Sequence, residues 1–284
     1  MTLAALTQIA EIDGHRVEYR RFGNGPHTAL ILHGGHMSAH CGFGEQMYLD
    51  AGCSVLVVSR PGYGRTEASA GPSAPEFAVR LVALCRMLGI DQVTAVGISL
   101  GARTALTLAA YAPGLVRDVV AMCPASFRPW PDPRTRRFAR VAFAPAVERV
   151  NWGTVHTLLR RDPERYLPRM VSDLSLLPPD EVVARLGSDR DTMVQFLLSC
   201  RSGRGFAIDL RPPTDVSAQV TQPTLVLASP NDGSVDPTHP QHLVDVLPNA
   251  RLVEVPTPCH VLWLGEGSEE TASALGDFLS RSAP

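Results

Sequence analysis

The residues Gly97-Ile98-Ser99-Leu100-Gly101 carry the strongest chemical signal in this chain. A serine hydroxyl is a weak nucleophile until a neighbouring base takes its proton and a third group orients the base. Glycine at both flanks lets the chain turn sharply out of a strand and into a helix. The hydroxyl then sits at the strand end, beside a helix N-terminus whose dipole favours developing negative charge. On their own, the same five letters also describe an ordinary strand-to-helix turn with a capping serine. Partners for Ser99 therefore decide between the two readings.

Two candidate partners lie downstream. Asp232 stands in Ser229-Pro230-Asn231-Asp232-Gly233, directly after the apolar run Thr224–Ala228. Asn-Asp-Gly is also strong turn chemistry, and Asp236 is a rival acid four residues on. His260 follows the run Arg251–Val255 and is the only histidine in the last 42 residues. It reads as the base, with a loop or helix-cap histidine as the plain alternative. Acyl chemistry also needs two backbone N–H groups aimed at the oxyanion. Leu100, next to the nucleophile, supplies one candidate. Gly35 in His33-Gly34-Gly35-His36 supplies the other, because glycines permit close backbone approach to a ligand.

These residues need a scaffold that gathers strand ends. Short apolar runs at Thr28–Leu32, Ser54–Val58, Gln92–Val96, Val116–Met122, Thr224–Ala228 and Arg251–Val255 read as buried strands. Asp13-Gly14 between two extended runs predicts an N-terminal hairpin. Helical patterns cover Pro75–Leu88, Ser99–Ala110, Pro240–Leu247 and Glu269–Leu279. This alternation predicts an α/β fold, a mostly parallel sheet with helices on both faces. Residues 124–219 break the rhythm. They hold 15 arginines against 11 acidic residues, clustered prolines and scattered aromatics, and they read as a mostly helical insertion.

Composition removes several chemistries. None of the 284 residues is lysine, so Schiff-base lysines, Ser-Lys dyads and P-loop lysines are excluded. The formal net charge of −2 gives no nucleic-acid footprint. The six cysteines form no C-x-x-C pair and read as buried small hydrophobes. His33, His36 and His40 lack further ligands of zinc-site spacing. Met1–Ala5 shows no basic leader, and no run approaches the length of a membrane span. A soluble, cytoplasmic protein, monomer or homodimer, is expected.

The chain resembles the α/β-hydrolase superfamily over nearly its whole length. The resemblance rests on His33-Gly34-Gly35, Arg60-Pro61-Gly62-Tyr63-Gly64-Arg65-Thr66, Gly97-Ile98-Ser99-Leu100-Gly101, Asp232 and His260. In that family the order is serine, acid, histidine. Three positions depart from its pattern: Ser59 stands where Asp is common, Thr66 ends the second motif, and Cys259 replaces glycine before the histidine. The resemblance implies a core of 1–123 and 220–284 with residues 124–219 as an inserted helical cap. It implies a serine hydrolase with no cofactor and no metal, acting on a small molecule. A carboxylic ester of a small, largely apolar substrate is the expected target. Thioester, amide and carbon–carbon bond hydrolysis use the same triad, and a non-catalytic ligand-binding relative is the reading from another class. His36, Trp130 and Trp152 are the expected substrate contacts.

Overall fold

A computed structural model describes residues 7–131 and 133–281. The Met1–Ala5 start lies outside them. Eight strands form one sheet: β1 (Gln8–Ile12), β2 (His15–Phe22), β3 (His27–Leu32), β4 (Cys53–Val58), β5 (Val93–Ile98), β6 (Val116–Met122), β7 (Thr224–Ala228) and β8 (Ala250–Glu254). Their order is β1-β2-β4-β3-β5-β6-β7-β8. β2 runs antiparallel to both its neighbours, and every pair from β4 to β8 is parallel. The expected hairpin forms, with Asp13 and Gly14 both at positive φ (50° and 78°), the conformation a tight two-residue turn requires.

Core helices are α1 (Glu45–Asp50), α2 (Ala74–Met87), α3 (Gly101–Tyr111), α10 (Thr238–Val246) and α11 (Ser268–Arg281). Every residue of β4, β5 and β7 is buried, as expected of strands covered on both faces. Side chains alternate between the two faces. Ala29, Ile31, Val55, Val57, Val96 and Ile98 join one core cluster with Tyr48 of α1 and Leu275 of α11. Leu30, Leu32, Leu56, Val58 and Ala95 join the other with Phe77 and Leu81 of α2 and Leu106 of α3. Each fully buried leucine or isoleucine stabilises such a core by about 2 kcal/mol.

Between β6 and β7 lie α4 (Pro133–Ala142), α5 (Pro145–Arg161), α6 (Pro163–Val171), α7 (Pro179–Leu186), α8 (Arg190–Ser199) and α9 (Gly205–Asp209). Proline sits in the first turn of α5, α6 and α7, where its missing N–H has no intrahelical partner to lose. A small apolar cluster of Tyr63, Leu100, Ala125, Ala139, Phe206, Leu210 and Val235 joins these helices to the carboxyl end of the sheet.

Strand β5 runs two residues further than the apolar pattern suggests, through Gly97 and Ile98, and α3 starts at Gly101 rather than Ser99. Packing explains the shift. A Cβ on Gly97 would strike the Ala102 backbone, and one on Gly101 would strike the Leu32 carbonyl oxygen. The turn is thus pressed against β3, and only glycine fits. Replacing Gly101 with alanine should lower stability in urea denaturation by about 3 kcal/mol. Gly114→Ala, where the new Cβ meets nothing within 4 Å, should change it by less than about 0.5 kcal/mol.

Candidate active site

Ser99 occupies the turn between β5 and α3 with φ 53°, a left-handed conformation that is costly for a residue with a Cβ. Its backbone is tied on both sides. The Ser99 N–H donates to the Met122 carbonyl at 2.9 Å, and the Ser99 carbonyl accepts from Ala102 and Ala125 at 3.1 Å each. The hydroxyl has no hydrogen-bond partner among the described residues. Hydrogen bonds of this kind often tighten only around a substrate.

The acid and the histidine are in direct contact. His260 Nδ1 lies 2.7 Å from Asp232 Oδ2, and both side chains are buried. Asp232 Oδ1 accepts from the N–H groups of Ser234 (2.8 Å) and Val235 (3.0 Å). Burial pushes the Asp232 carboxyl up, but the charge of His260 and these hydrogen bonds outweigh it and hold the group below its ordinary value. An ionised Asp232 only accepts, so His260 carries its proton on Nδ1 and leaves Nε2 free as a base. The rival, Asp236, is exposed and accepts from the Thr238 N–H at 2.8 Å, at the start of α10.

A segment of the helical insertion fastens both loops. The Leu174 carbonyl accepts from His260 N–H (2.8 Å) and Gly233 N–H (3.2 Å). Ser175 bridges to Asp232 and donates its hydroxyl to the Pro258 carbonyl at 2.6 Å. Thr257 binds the acid loop from the other side, its carbonyl accepting from Ser229 and Asn231.

Gly34 and Gly35 lie against the serine turn. A Cβ on Gly34 would stand 3.1 Å from the Ser99 Cβ, and one on Gly35 would stand 3.2 Å from Leu100 Cδ1. Neither the Gly35 nor the Leu100 amide donates to any group among the described residues. His33 holds this loop in place. Its Nε2 accepts from the Arg60 N–H at 2.9 Å, and its Nδ1 donates to the Gly34 carbonyl at 2.8 Å. Burial, then the Arg60 charge, pull His33 down to about 3, so it stays neutral.

The predicted contact residues separate into two places. The His36 ring centroid lies 3.9 Å from that of Phe206, 4.5 Å from Phe143 and 5.6 Å from Trp152, tilted against each. The Ser202 hydroxyl joins them, donating to His36 Nδ1 (2.6 Å) and accepting from Trp152 Nε1 (2.7 Å). Trp130 stands apart, packed on the Leu100 and Val235 cluster and donating to the Ser234 carbonyl at 2.9 Å. The three neighbouring histidines turn to different partners: His33 to Arg60, His36 to Ser202 and His40 to Glu18. Among the described residues, ligand atoms of Cys123, Asp232 and His260 do lie within 4.8 Å of one another. Two of these already bond to each other, and burial, then the Asp232 charge, keep the Cys123 thiol protonated.

A sequence profile of the α/β-hydrolase fold matches residues 30–266. The chain belongs to the α/β-hydrolase fold family. An uncharacterised hydrolase of Bacillus subtilis (strain 168) is 30% identical over 274 residues, spanning 94% of this chain and 96% of that one. An α/β-hydrolase fold protein from Nakamurella multipartita superposes with a TM-score of 0.82 at 21% identity, covering 97% of this chain and 99% of the other. A thermophilic esterase from Thermogutta terrifontis gives 0.69 at 19% identity, with 99% and 100% covered. Among the described residues, no helix is long and apolar enough to cross a membrane.

Within that family frame, the departure at Ser59 has a local answer. Glu18 of β2, fully buried, accepts from Ser59 Oγ (2.7 Å), from the Arg65 N–H (3.0 Å) and from Arg65 Nε (2.8 Å). His40 Nε2 lies 3.1 Å from the same carboxylate, and Thr66 Oγ1 accepts from the Glu18 N–H at 2.9 Å. A carboxylate from another strand therefore supplies the charge that the motif position lacks. Arg60 is equally unexpected from sequence. It pairs with Asp209 through two bonds of 2.6 and 2.7 Å, and it donates to the carbonyls of His33 and Gly34. No sequence period links these partners, since they lie 47 and 149 residues apart.

Burial raises the Glu18 carboxyl, but its bonds to His40 and Arg65 more than offset this and hold it well below the usual 4.5. The unfolded chain therefore binds the proton more readily than the folded one, and stability falls as pH drops. Glu18 contributes fully above about pH 5, and its contribution fades with acidification below the unfolded value. Urea denaturation between about pH 6 and pH 3 should show a smaller loss of stability for Glu18→Gln than for the unaltered protein. Equal losses would remove Glu18 as the source.

Proposed function

We propose that this protein is a serine hydrolase that cleaves a carboxylic ester of a small, largely apolar substrate through an acyl-enzyme on Ser99. The observation that carries the reading is the buried Asp232–His260 pair at 2.7 Å with Nε2 left free, in loops after β7 and β8, with Ser99 after β5 of the same parallel sheet.

Ser99 Oγ attacks the ester carbonyl carbon while His260 Nε2 takes its proton. Asp232 holds the imidazole in the required tautomer and stabilises the imidazolium. The oxyanion forms beside the Gly35 and Leu100 amides, whose N–H groups are free to donate to it. His260 then gives its proton to the departing alcohol. Water, deprotonated by His260, attacks the acyl carbon, and the proton returns to Ser99 as the carboxylic acid leaves.

The aromatic surface of His36, Phe143, Trp152 and Phe206 beside Gly35 suits an apolar acyl or alcohol group. Neutral His36, drawn down to about 4 by burial, adds no charge there. Residues 124–219 act as the cap that shapes this space. Six thiols, none in a disulfide, suit the reducing cytoplasm.

Aryl esters of varied acyl length, matching thioesters and β-diketones should separate the possible bonds. Turnover is expected to be highest on esters, and strong turnover of another class beside weak activity on every ester would overturn the ester assignment. Asp232→Asn should lower kcat on the best substrate by about three to four orders of magnitude, as tautomer loss does in serine triads. Asp236→Asn should leave kcat within about two-fold, and the opposite ranking would reassign the acid.

A further inference from the structure

A cavity of about 200 Å³ lies between the N-terminus of α2, the first turns of α3 and the chain after α9. Its wall includes Phe77, Leu100, Arg103, Phe127, Ile208 and Arg211, and neither Ser99, Asp232 nor His260 lines it. The space is thus separate from the proposed triad, and Leu100, whose amide is proposed to face the oxyanion, forms the wall between them.

Its charge is unbalanced. Arg103 is only 7% exposed, and no carboxylate among the described residues lies within salt-bridge distance of it, although the Asp209 charge favours its protonated form. Its Nε and Nη2 donate to the carbonyls of Ser126 (2.8 Å) and Arg128 (2.9 Å), which leaves Nη1 without a partner among the described residues. Asp209, the acid of this wall, is already saturated by two bonds from Arg60 and one from the Tyr63 hydroxyl. Arg211 also lines the cavity, and among the described residues its guanidinium donates only to the Pro72 carbonyl, at 3.3 Å. Burial opposes the charged form of Arg103 and draws it down to about 10, so it still carries its charge at neutral pH.

Three features face the same space. The 14-residue helix α2 begins there at Ala74 without a side-chain cap, and its Ala74 and Glu76 amides have no acceptor among the described residues. Thr104, 6% exposed, lines the cavity with a hydroxyl that has no partner among the described residues. Arg103 Nη1 is the third donor. A largely buried guanidinium with an unused donor and no bonded carboxylate among the described residues favours an anion, as do free helix amides. Phe77, Phe127 and Ile208 suit a short apolar body.

We propose that this cavity binds a small organic anion, a carboxylate or phosphate head on a short apolar body, with Arg103, Thr104 and the α2 N-terminus holding the head. The assignment does not depend on the hydrolytic reading, because binding is measured without turnover.

Calorimetric titration with hexanoate, hexyl phosphate and hexanol tests it. One anion should bind at one site per chain, hexanol should not, and the tighter of the two anions identifies the head group. Arg103→Gln should weaken binding about ten-fold or more, as expected for loss of a charge-assisted bond. Since Arg103 also anchors two carbonyls, Thr104→Val and the surface change Arg211→Gln provide folded comparisons, each expected to weaken binding several-fold. Absence of binding by both anions, equal binding of hexanol, or binding that survives all three substitutions would overturn the assignment.

Discussion

Everything at this site hangs on one close approach. The Gly101 backbone touches the Leu32 carbonyl, and Gly97 packs on Ala102. Because both lack a Cβ, β5 can turn into α3 at the sheet's end instead of swinging away from it. That contact holds Ser99 at φ 53°, a conformation that free energy otherwise disfavours by about 1–3 kcal/mol. The surrounding bonds from Ala102, Ala125 and Met122 maintain it. The same crowding brings Gly34 alongside Ser99, so the serine and the two free amides are consequences of a single steric fit.

Around this turn, buried charge is handled in pairs. Glu18 gathers Ser59, Arg65 and His40, while Asp209 neutralises Arg60 and receives the Tyr63 hydroxyl. Both networks tie the loops after β3 and β4 to the rest of the structure, and both use arginine. A planar guanidinium can serve a carboxylate and two carbonyls at once, as Arg60 does. Among the described residues Arg103 differs, a buried guanidinium hydrogen-bonded to carbonyls alone.

Much of this was legible in the sequence because it follows local rules. Buried parallel strands read as continuous apolar runs, and β7 matches its run from Thr224 to Ala228. Spacing singles out the glycine-flanked Ser99 and, after their own strands, Asp232 and His260, the latter two of which are in contact. The helical character of 124–219 followed from composition. The short helix α1 went unread, since Glu45–Asp50 is too brief to show a period. Helix α3 starts two residues later than the sequence pattern suggests, because alanine and leucine content cannot register the steric stop at Gly101. Leu174 and Ser175, which fasten the acid and histidine loops, were invisible for a different reason. Leu174 acts through its backbone carbonyl, which any residue type carries, and Ser175 through a hydroxyl whose partner Pro258 lies 83 residues away.

The central claim is that this geometry makes Ser99, and no other serine, a nucleophile activated by His260. Incubating the folded protein with a fluorophosphonate and mapping the adduct by peptide mass spectrometry tests it directly. The account predicts one phosphonyl group per chain, on Ser99, formed far more slowly in His260→Ala. A folded protein that takes up no label, or carries it on another serine, would contradict the account.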